Sequence, residues 1–160
     1  MAKEPNKTNV MRILDKAKIP YQAHYYDHED GAIDGISVAQ KLGQREEQVF
    51  KTLVTRGASK NYYVFVIPVA KELNLKAAAK AVGEKSVEMI HVSEINKVTG
   101  YIRGGCSPIG MKKQFSTVVD ASCKQQPVII VSAGKIGTQV ELSPENLLKF
   151  VGAETAGITE

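Results

Sequence analysis

The sequence predicts a mixed α/β fold: one domain with a sheet of six or seven short strands wrapped by helices. Two observations carry this expectation. β-rich runs recur along the chain but are interrupted by helical segments at irregular intervals, which argues against a regular βαβ winding. The run Tyr62-Tyr63-Val64-Phe65-Val66-Ile67 has no polar alternation, so both of its faces must be covered. The 160 residues, 43% hydrophobic and 24% charged, are enough for a globular core. No internal repeat or composition shift divides them, so residues 1–160 are read as one domain.

Met1 to Lys7 are polar and read as frayed. From Thr8, Val10, Ile13, Leu14 and Ala17 recur at helical spacing and stop before Pro20. Gln22 to Asp27 reads as a strand and His28 to Gly35, rich in Asp and Gly, as a loop. Ser37 is the expected N-cap of a short helix reaching Leu42 and stopped by Gly43. Phe50–Thr55 and Tyr62–Ile67 read as a hairpin joined by residues 56–61, with Pro68 ending it. Asn74 caps a helix through Val82, closed by Gly83. Val87–Ile90 is a short strand, and Ser93 caps a helical turn leading to Gly100. Thr117–Asp120, Val128–Val131 and Thr138–Leu142 are further strands. Ser143-Pro144-Glu145 is a helix start with cap, first-position proline and acid in the first turn; the helix uses Leu147, Leu148 and Val151 before Gly152.

Composition narrows the function classes. No apolar run approaches a membrane span and Met1–Pro20 lacks an apolar signal segment, so a cytoplasmic location with no membrane partner is expected. The net charge of +4 permits contact with a polyanion, although no long Lys/Arg run demands it. Cys106 and Cys123 form no CxxC and do not cluster with His24, His28 or His91, so neither a metal site nor a cofactor is expected.

Three places could carry chemistry. The stretch Thr99-Gly100-Tyr101-Ile102-Arg103-Gly104-Gly105-Cys106-Ser107-Pro108-Ile109-Gly110 holds four glycines among apolar anchors. It is either a shaped loop offering amide N–H groups to an oxyanion or a tight turn between strands. Cys106 within it would need a nearby base to act as a nucleophile, and a passive small residue is the simpler reading. Lys51 stands in Phe50-Lys51-Thr52-Leu53-Val54-Thr55, a strand with no clean polar face; it either snorkels to an edge or points its charge into a cleft. Ser132 ends an apolar run and opens Ser132-Ala133-Gly134-Lys135, which suits a substrate-lining rim or a turn, with no Asp–His pair arranged for a triad. Lys71, Lys76, Lys80, Lys112 and Lys113 could contact phosphates or simply be solvated.

Five of these segments together resemble the YbaK/EbsC family. They are Phe50-Lys51-Thr52-Leu53, Leu73-Asn74-Leu75-Lys76, Thr99-Gly100-Tyr101, Gly104-Gly105-Cys106-Ser107-Pro108-Ile109-Gly110 and Val131-Ser132-Ala133-Gly134-Lys135, in matching order across about Val10 to Val151. The resemblance implies a YbaK-like mixed sheet and a trans-editing hydrolase that deacylates Cys-tRNA(Pro), related to the editing domain of prolyl-tRNA synthetases. It implies that the partner is the aminoacylated 3′ end of tRNA(Pro), with prolyl-tRNA synthetase a second partner. Lys51 matches the family's essential lysine, and Gly104 and Gly105 match a loop whose backbone contacts the ester, giving three catalytic positions. Ser132 matches the family's pocket serine and Tyr26 the tyrosine that follows the first strand's histidine; with Thr52, Ser107 and Gly134 of the matched segments they are the implied substrate-binding positions. The chain departs from the family pattern at Cys106 (usually isoleucine), Ala133 (glycine), Ile136 (often arginine) and Gln139 (a carboxylate in some relatives). The proposed family chemistry is attack of the substrate's own thiol on its ester. The alternatives are a non-catalytic module that binds a tRNA end or a synthetase, and a deacylase for Ala-tRNA(Pro).

Overall fold

The computed structural model describes residues 7–160. In chain order the elements are α1 (Asn9–Lys16), β1 (Gln22–Tyr25), α2 (Gly35–Leu42), β2 (Phe50–Gly57), β3 (Tyr62–Pro68), α3 (Leu75–Val82) and β4 (Val87–Met89). Then follow α4 (Val92–Thr99), β5 (Ser116–Asp120), β6 (Ile129–Lys135), β7 (Thr138–Leu142), α5 (Pro144–Val151) and β8 (Glu154–Ala156). Short 3₁₀ turns cover Glu46–Gln48 and Ala121–Gln125.

Two sheets form, one of five strands in the order β4-β2-β3-β5-β8 and one of three in the order β1-β7-β6. β2 and β3 make the expected antiparallel hairpin, and β5 and β8 add to it in parallel. Val49 joins the sheets: it bridges to Ile130 at the start of β6, and its carbonyl accepts from Val69 N at 2.9 Å.

β3 explains why its sequence shows no alternation. Val64 and Val66 pack with Phe50, Val119, Val131 and Val140 under α1 and α5. Phe65 and Ile67, on the opposite face, pack with Val118 and with Ala78 and Ala79 of α3. Each of these side chains is buried on one face of the strand, and truncating Phe65 or Ile67 to alanine should cost about 2–5 kcal/mol.

Helix ends follow the sequence closely where a side chain bonds the first turn. Thr8, Asn74 and Ser143 cap α1, α3 and α5, accepting from Met11 N, Ala77 N and Asn146 N. Two caps differ from expectation. α2 begins at Gly35 because Asp34, not Ser37, is its cap; the Asp34 carboxylate accepts from Ser37 N and from Ser37 Oγ. α4 begins at Val92, one residue before Ser93, with His91 at the cap position and no side-chain bond there.

Three strand features also differ. β2 continues through Arg56 and Gly57, because β4 pairs with Thr55–Gly57. β6 runs through Ser132 to Lys135 by way of a bulge, where a turn was expected. β8 went unseen, a three-residue strand held by pairing with Val118–Asp120. Met1 to Asn6 of the stretch read as frayed lie outside the described residues. Lys7, read with them, reaches Asp15 at 2.6 Å.

Candidate active site

The site is organised by β2. Its register with β3 sets Lys51 opposite Ile67 and Thr52 opposite Val66, so the two side chains leave opposite faces of the strand. β4 covers only the far half of β2, with Ile90 N donating to the Val54 carbonyl at 3.3 Å. The two-residue alternation of an antiparallel ladder then turns the Thr52 N–H and C=O toward the stretch of edge that no strand covers.

A cleft of about 710 Å³ opens along that edge. One wall is Phe50–Leu53; the others come from Ile33–Val38 around the start of α2, from Arg103, Gly104 and Cys106 of the glycine-rich loop, and from Ser132, Thr138 and Gln139 of the second sheet. Tyr26 closes one side.

The fold therefore gathers five of the eight sequence-named residues on one surface: Lys51, Thr52, Tyr26, Ser132 and Gly104. Lys51 lines the cleft and has no carboxylate within 4 Å among the described residues, although Asp34 and Glu72 also line that cleft. Ser132 Oγ accepts from Gly134 N at 3.1 Å, which leaves its proton for another acceptor. The Thr52 hydroxyl is buried with no hydrogen-bond partner among the described residues.

The other three residues sit behind this surface and shape it. Gly105 donates its amide to the Ile102 carbonyl at 3.0 Å, so that N–H is committed within the loop. A Cβ at Gly105 would stand 3.2 Å from Ile136 N and 3.4 Å from Lys135 Cα, not in the cleft. Its lack of a side chain lets the loop lie against the β6–β7 turn. Ser107 is fully buried, and its Oγ accepts from Ile109 N at 3.3 Å. Gly134 packs under the ring of Tyr101, whose hydroxyl donates to the Ile109 carbonyl. Tyr101 is thus the strut of the loop, and burial pushes its phenol up to about 12, which keeps it a donor.

Gly104 has φ of +88° and a Cβ there would meet Ile33 Cδ1 at 3.0 Å, so this position excludes a side chain on two counts. Its N–H has no acceptor among the described residues, unlike that of Gly105. Cys106 lines the cleft, but burial pushes its thiol up to about 11, opposed only in part by a hydrogen bond to Thr99. A thiol so placed is protonated at neutral pH and is a poor nucleophile. None of the three histidines lines the cleft; His24 pairs with Glu141 at 3.1 Å outside it. Among the described residues no group of three His, Cys, Asp or Glu side chains is placed to hold a metal ion.

Sequence reasoning missed Arg103, Thr138 and Asp34, and named Gln139 only as a departure. Gln139 stands directly opposite Ser132 across the β6–β7 pair, and its Oε1 accepts from Gln44 Nε2 at 2.8 Å. Pairing β6 with β7 would have found it once Ser132 was singled out. Arg103 was visible as a cation set among the loop glycines.

The fold and cleft are those of an aminoacyl-tRNA editing domain. Residues 33–150 match the family described by that name, and the chain belongs to it. EbsC of Enterococcus faecalis, named as a Cys-tRNA(Pro)/Cys-tRNA(Cys) deacylase, is 47% identical over 157 residues, covering 98% of this chain and 96% of its own. Among solved structures, a hypothetical protein superimposes with a TM-score of 0.86 at 24% identity, covering 94% of this chain and 99% of that one. A trans-editing enzyme for prolyl-tRNA synthetase superimposes with a TM-score of 0.81 at 21% identity, covering 98% and 99%. At these identities the two structures establish the fold, which is the expected YbaK-like mixed sheet.

Proposed function

We propose that this protein is a trans-editing hydrolase that removes cysteine from mischarged Cys-tRNA(Pro), with the substrate's thiol as the nucleophile. The observation that carries the mechanism is a cleft lined by a lysine without an ion pair and a glycine amide without an acceptor but, among the described residues, by no nucleophile paired to a base. Cys106, the thiol on its wall, is held protonated by burial. The reaction class and the amino acid are those of the relative that shares 47% of its residues.

The chemistry asks for placement more than for reactive groups. A free cysteine thiol has a pKa of about 8.5 and is already partly thiolate near neutrality. The substrate thiolate attacks the aminoacyl carbonyl, forming a C–S bond. The ester C–O bond then breaks, its electron pair leaves on the ribose oxygen, and that oxygen takes up a proton. The products are a cyclic thiolactone and a free tRNA end. The protein's part is to fold the cysteinyl ester into reach and to stabilise the oxyanion between. In this reading the Gly104 N–H is the oxyanion donor and the Lys51 ammonium supplies the positive field. The Ser132 hydroxyl and the Gln139 amide orient the aminoacyl group.

The partner is the aminoacylated 3′ end of tRNA(Pro), in the cytoplasm where charging occurs, and prolyl-tRNA synthetase is the source of the mischarged substrate. A thiol-driven reaction selects the amino acid more than the tRNA, so Cys-tRNA(Cys) is a second substrate, as the name of the relative implies for that protein. The test is single-turnover deacylation of preformed Cys-, Ala- and Ser-tRNA(Pro) with trapping of thiolactone. Rapid loss of the cysteinyl ester with thiolactone formed, and far slower loss of the seryl ester, is expected. Equal rates for the seryl and cysteinyl esters would defeat the substrate-thiol route, and loss of none would leave a binding module.

A further inference from the structure

We infer that Ile33 and Ile136 form an apolar gate beside Gly104 that keeps water from the aminoacyl ester, so that only an ester carrying its own nucleophile is cleaved. The inference rests on the editing reading above. Three segments meet at this point: the loop before α2, the β6–β7 turn and the glycine-rich loop. A Cβ at Gly104 would stand 3.0 Å from Ile33 Cδ1 and 3.4 Å from Ile136 Cγ1. The two side chains thus converge on the same face of one residue from two separate segments, and both are half-buried.

The gate is held from behind. Tyr26 N donates to the Gly137 carbonyl at 3.0 Å, joining the end of β1 to the turn that carries Ile136. A Cβ at Gly137 would stand 2.8 Å from His28 Cδ2, so the turn lies directly against the loop that leads to Ile33. Ile33 N in turn donates to the Gly31 carbonyl at 3.0 Å, which fixes the backbone under its side chain. Hydrocarbon covering that face of Gly104 offers a water molecule no hydrogen-bond partner.

The carboxylates of the cleft make such a gate consequential. The Asp34 carboxylate is committed to Ser37 Oγ and Ser37 N, and these bonds hold it below the usual carboxylate range. Glu72 lines the same cleft and makes no ion pair among the described residues, so it is a base that water could use. Water admitted beside the ester would bond through its oxygen to the aminoacyl carbonyl carbon and give a proton to Glu72. The ester C–O bond would break with its electron pair on the ribose oxygen, which takes up a proton. That route needs no thiol and would cleave any aminoacyl ester the cleft admits. Closing it leaves the substrate's own thiol, which is delivered within the same molecule and needs no opening to solvent. Selectivity for cysteine then comes from excluding the competing nucleophile as well as from fit.

The test uses Ala-tRNA(Pro), whose ester has no thiol and so reports the water route alone. Ile33→Ser and Ile136→Ser, each checked by Tm, should raise its single-turnover deacylation about tenfold over wild type. In the same variants part of the cysteinyl ester should be released as free cysteine where wild type gives trapped thiolactone. Ile136→Leu, which keeps the hydrocarbon, should restore the low alanyl rate. Mere loss of packing would slow both esters, so a gain on the alanyl ester is the signature of the gate. An alanyl rate unchanged in both folded variants, or a fall on both esters together, would overturn it. The two readings fail separately. Wild-type protein that leaves Cys-tRNA(Pro) intact would defeat the editing reading, whereas alanyl hydrolysis gained in the variants would still support the gate.

Discussion

At the scale of single residues, the contrast between Lys51 and Cys106 separates chemistry supplied by the protein from chemistry supplied by the substrate. Lys51 stood out in the sequence because a cation in an apolar strand needs a reason, and in the fold it lies on the cleft wall. Lys51→Ala should lower single-turnover deacylation by about 10²-fold or more, the scale of losing one preorganised electrostatic contact to an oxyanion. Its side chain is half-buried and makes no ion pair among the described residues, so Tm should stay close to wild type; an unchanged rate in a folded variant would return Lys51 to a solvated edge. Cys106→Ala should keep most activity and leave the pH–rate profile superimposable on that of wild type. The same substitution has a signature in stability. Because burial raises the Cys106 thiol from 9.0 to about 11, the folded state keeps a proton that the unfolded chain has lost in that interval. The stability so gained is present below the ordinary thiol value and is lost as pH rises toward 11. Wild-type Tm should therefore fall more steeply than that of Cys106→Ala between those values, and parallel slopes would mean the thiol is not shielded.

At the scale of elements, what could be read from the sequence depended on whether the cause was local. Thr8, Asn74 and Ser143 bond amides three residues on, and their helices were placed to within a residue. Asp34 does the same for α2, but Asp-Gly reads as loop, and Ser37 drew the cap assignment although it is the group being capped. β8 could not be seen because three residues carry no period; it exists only through its pairing with β5. The glycine-rich loop shows the same limit within the site. A motif gives the order of residues but not their facing, so Gly105, Ser107 and Gly134 travelled with Gly104 and Ser132 although they stand behind the cleft wall. Gly105 then makes a different prediction from that of a substrate-facing glycine. Gly105→Val should push the loop off the β6–β7 turn and destabilise the protein by about 1–3 kcal/mol, the usual range for overpacking. A variant with wild-type Tm and no activity would show that the glycine faces the ester after all.

At the scale of the whole molecule, the question is how a protein with a modest net charge of +4 holds a polyanion. Five lysines were weighed as phosphate contacts from the sequence, but Lys71, Lys76, Lys80, Lys112 and Lys113 are all exposed and none lines the cleft. Among the described residues the cleft walls hold just two cations, Lys51 and Arg103. Recognition should then rest on the apolar and hydrogen-bonding groove, with few phosphates neutralised. Counterion release turns this into a number: for a single strand, each neutralised phosphate contributes about 0.7 to the slope of log affinity against log salt. With two phosphates engaged, raising salt from about 50 to about 200 mM should weaken binding of uncharged tRNA(Pro) about sevenfold, and with three about eighteenfold. Arg103→Ala should reduce the slope by about 0.7, because Arg103 lines the cleft beside Gly104 with no carboxylate within 4 Å among the described residues. Lys76→Ala and Lys80→Ala, on the exposed face of α3, should leave the slope unaltered. A slope several times steeper in wild type, with Lys76 and Lys80 contributing as much as Arg103, would mean that the body of the tRNA lies across the α3 face. The groove would then be a secondary determinant of binding.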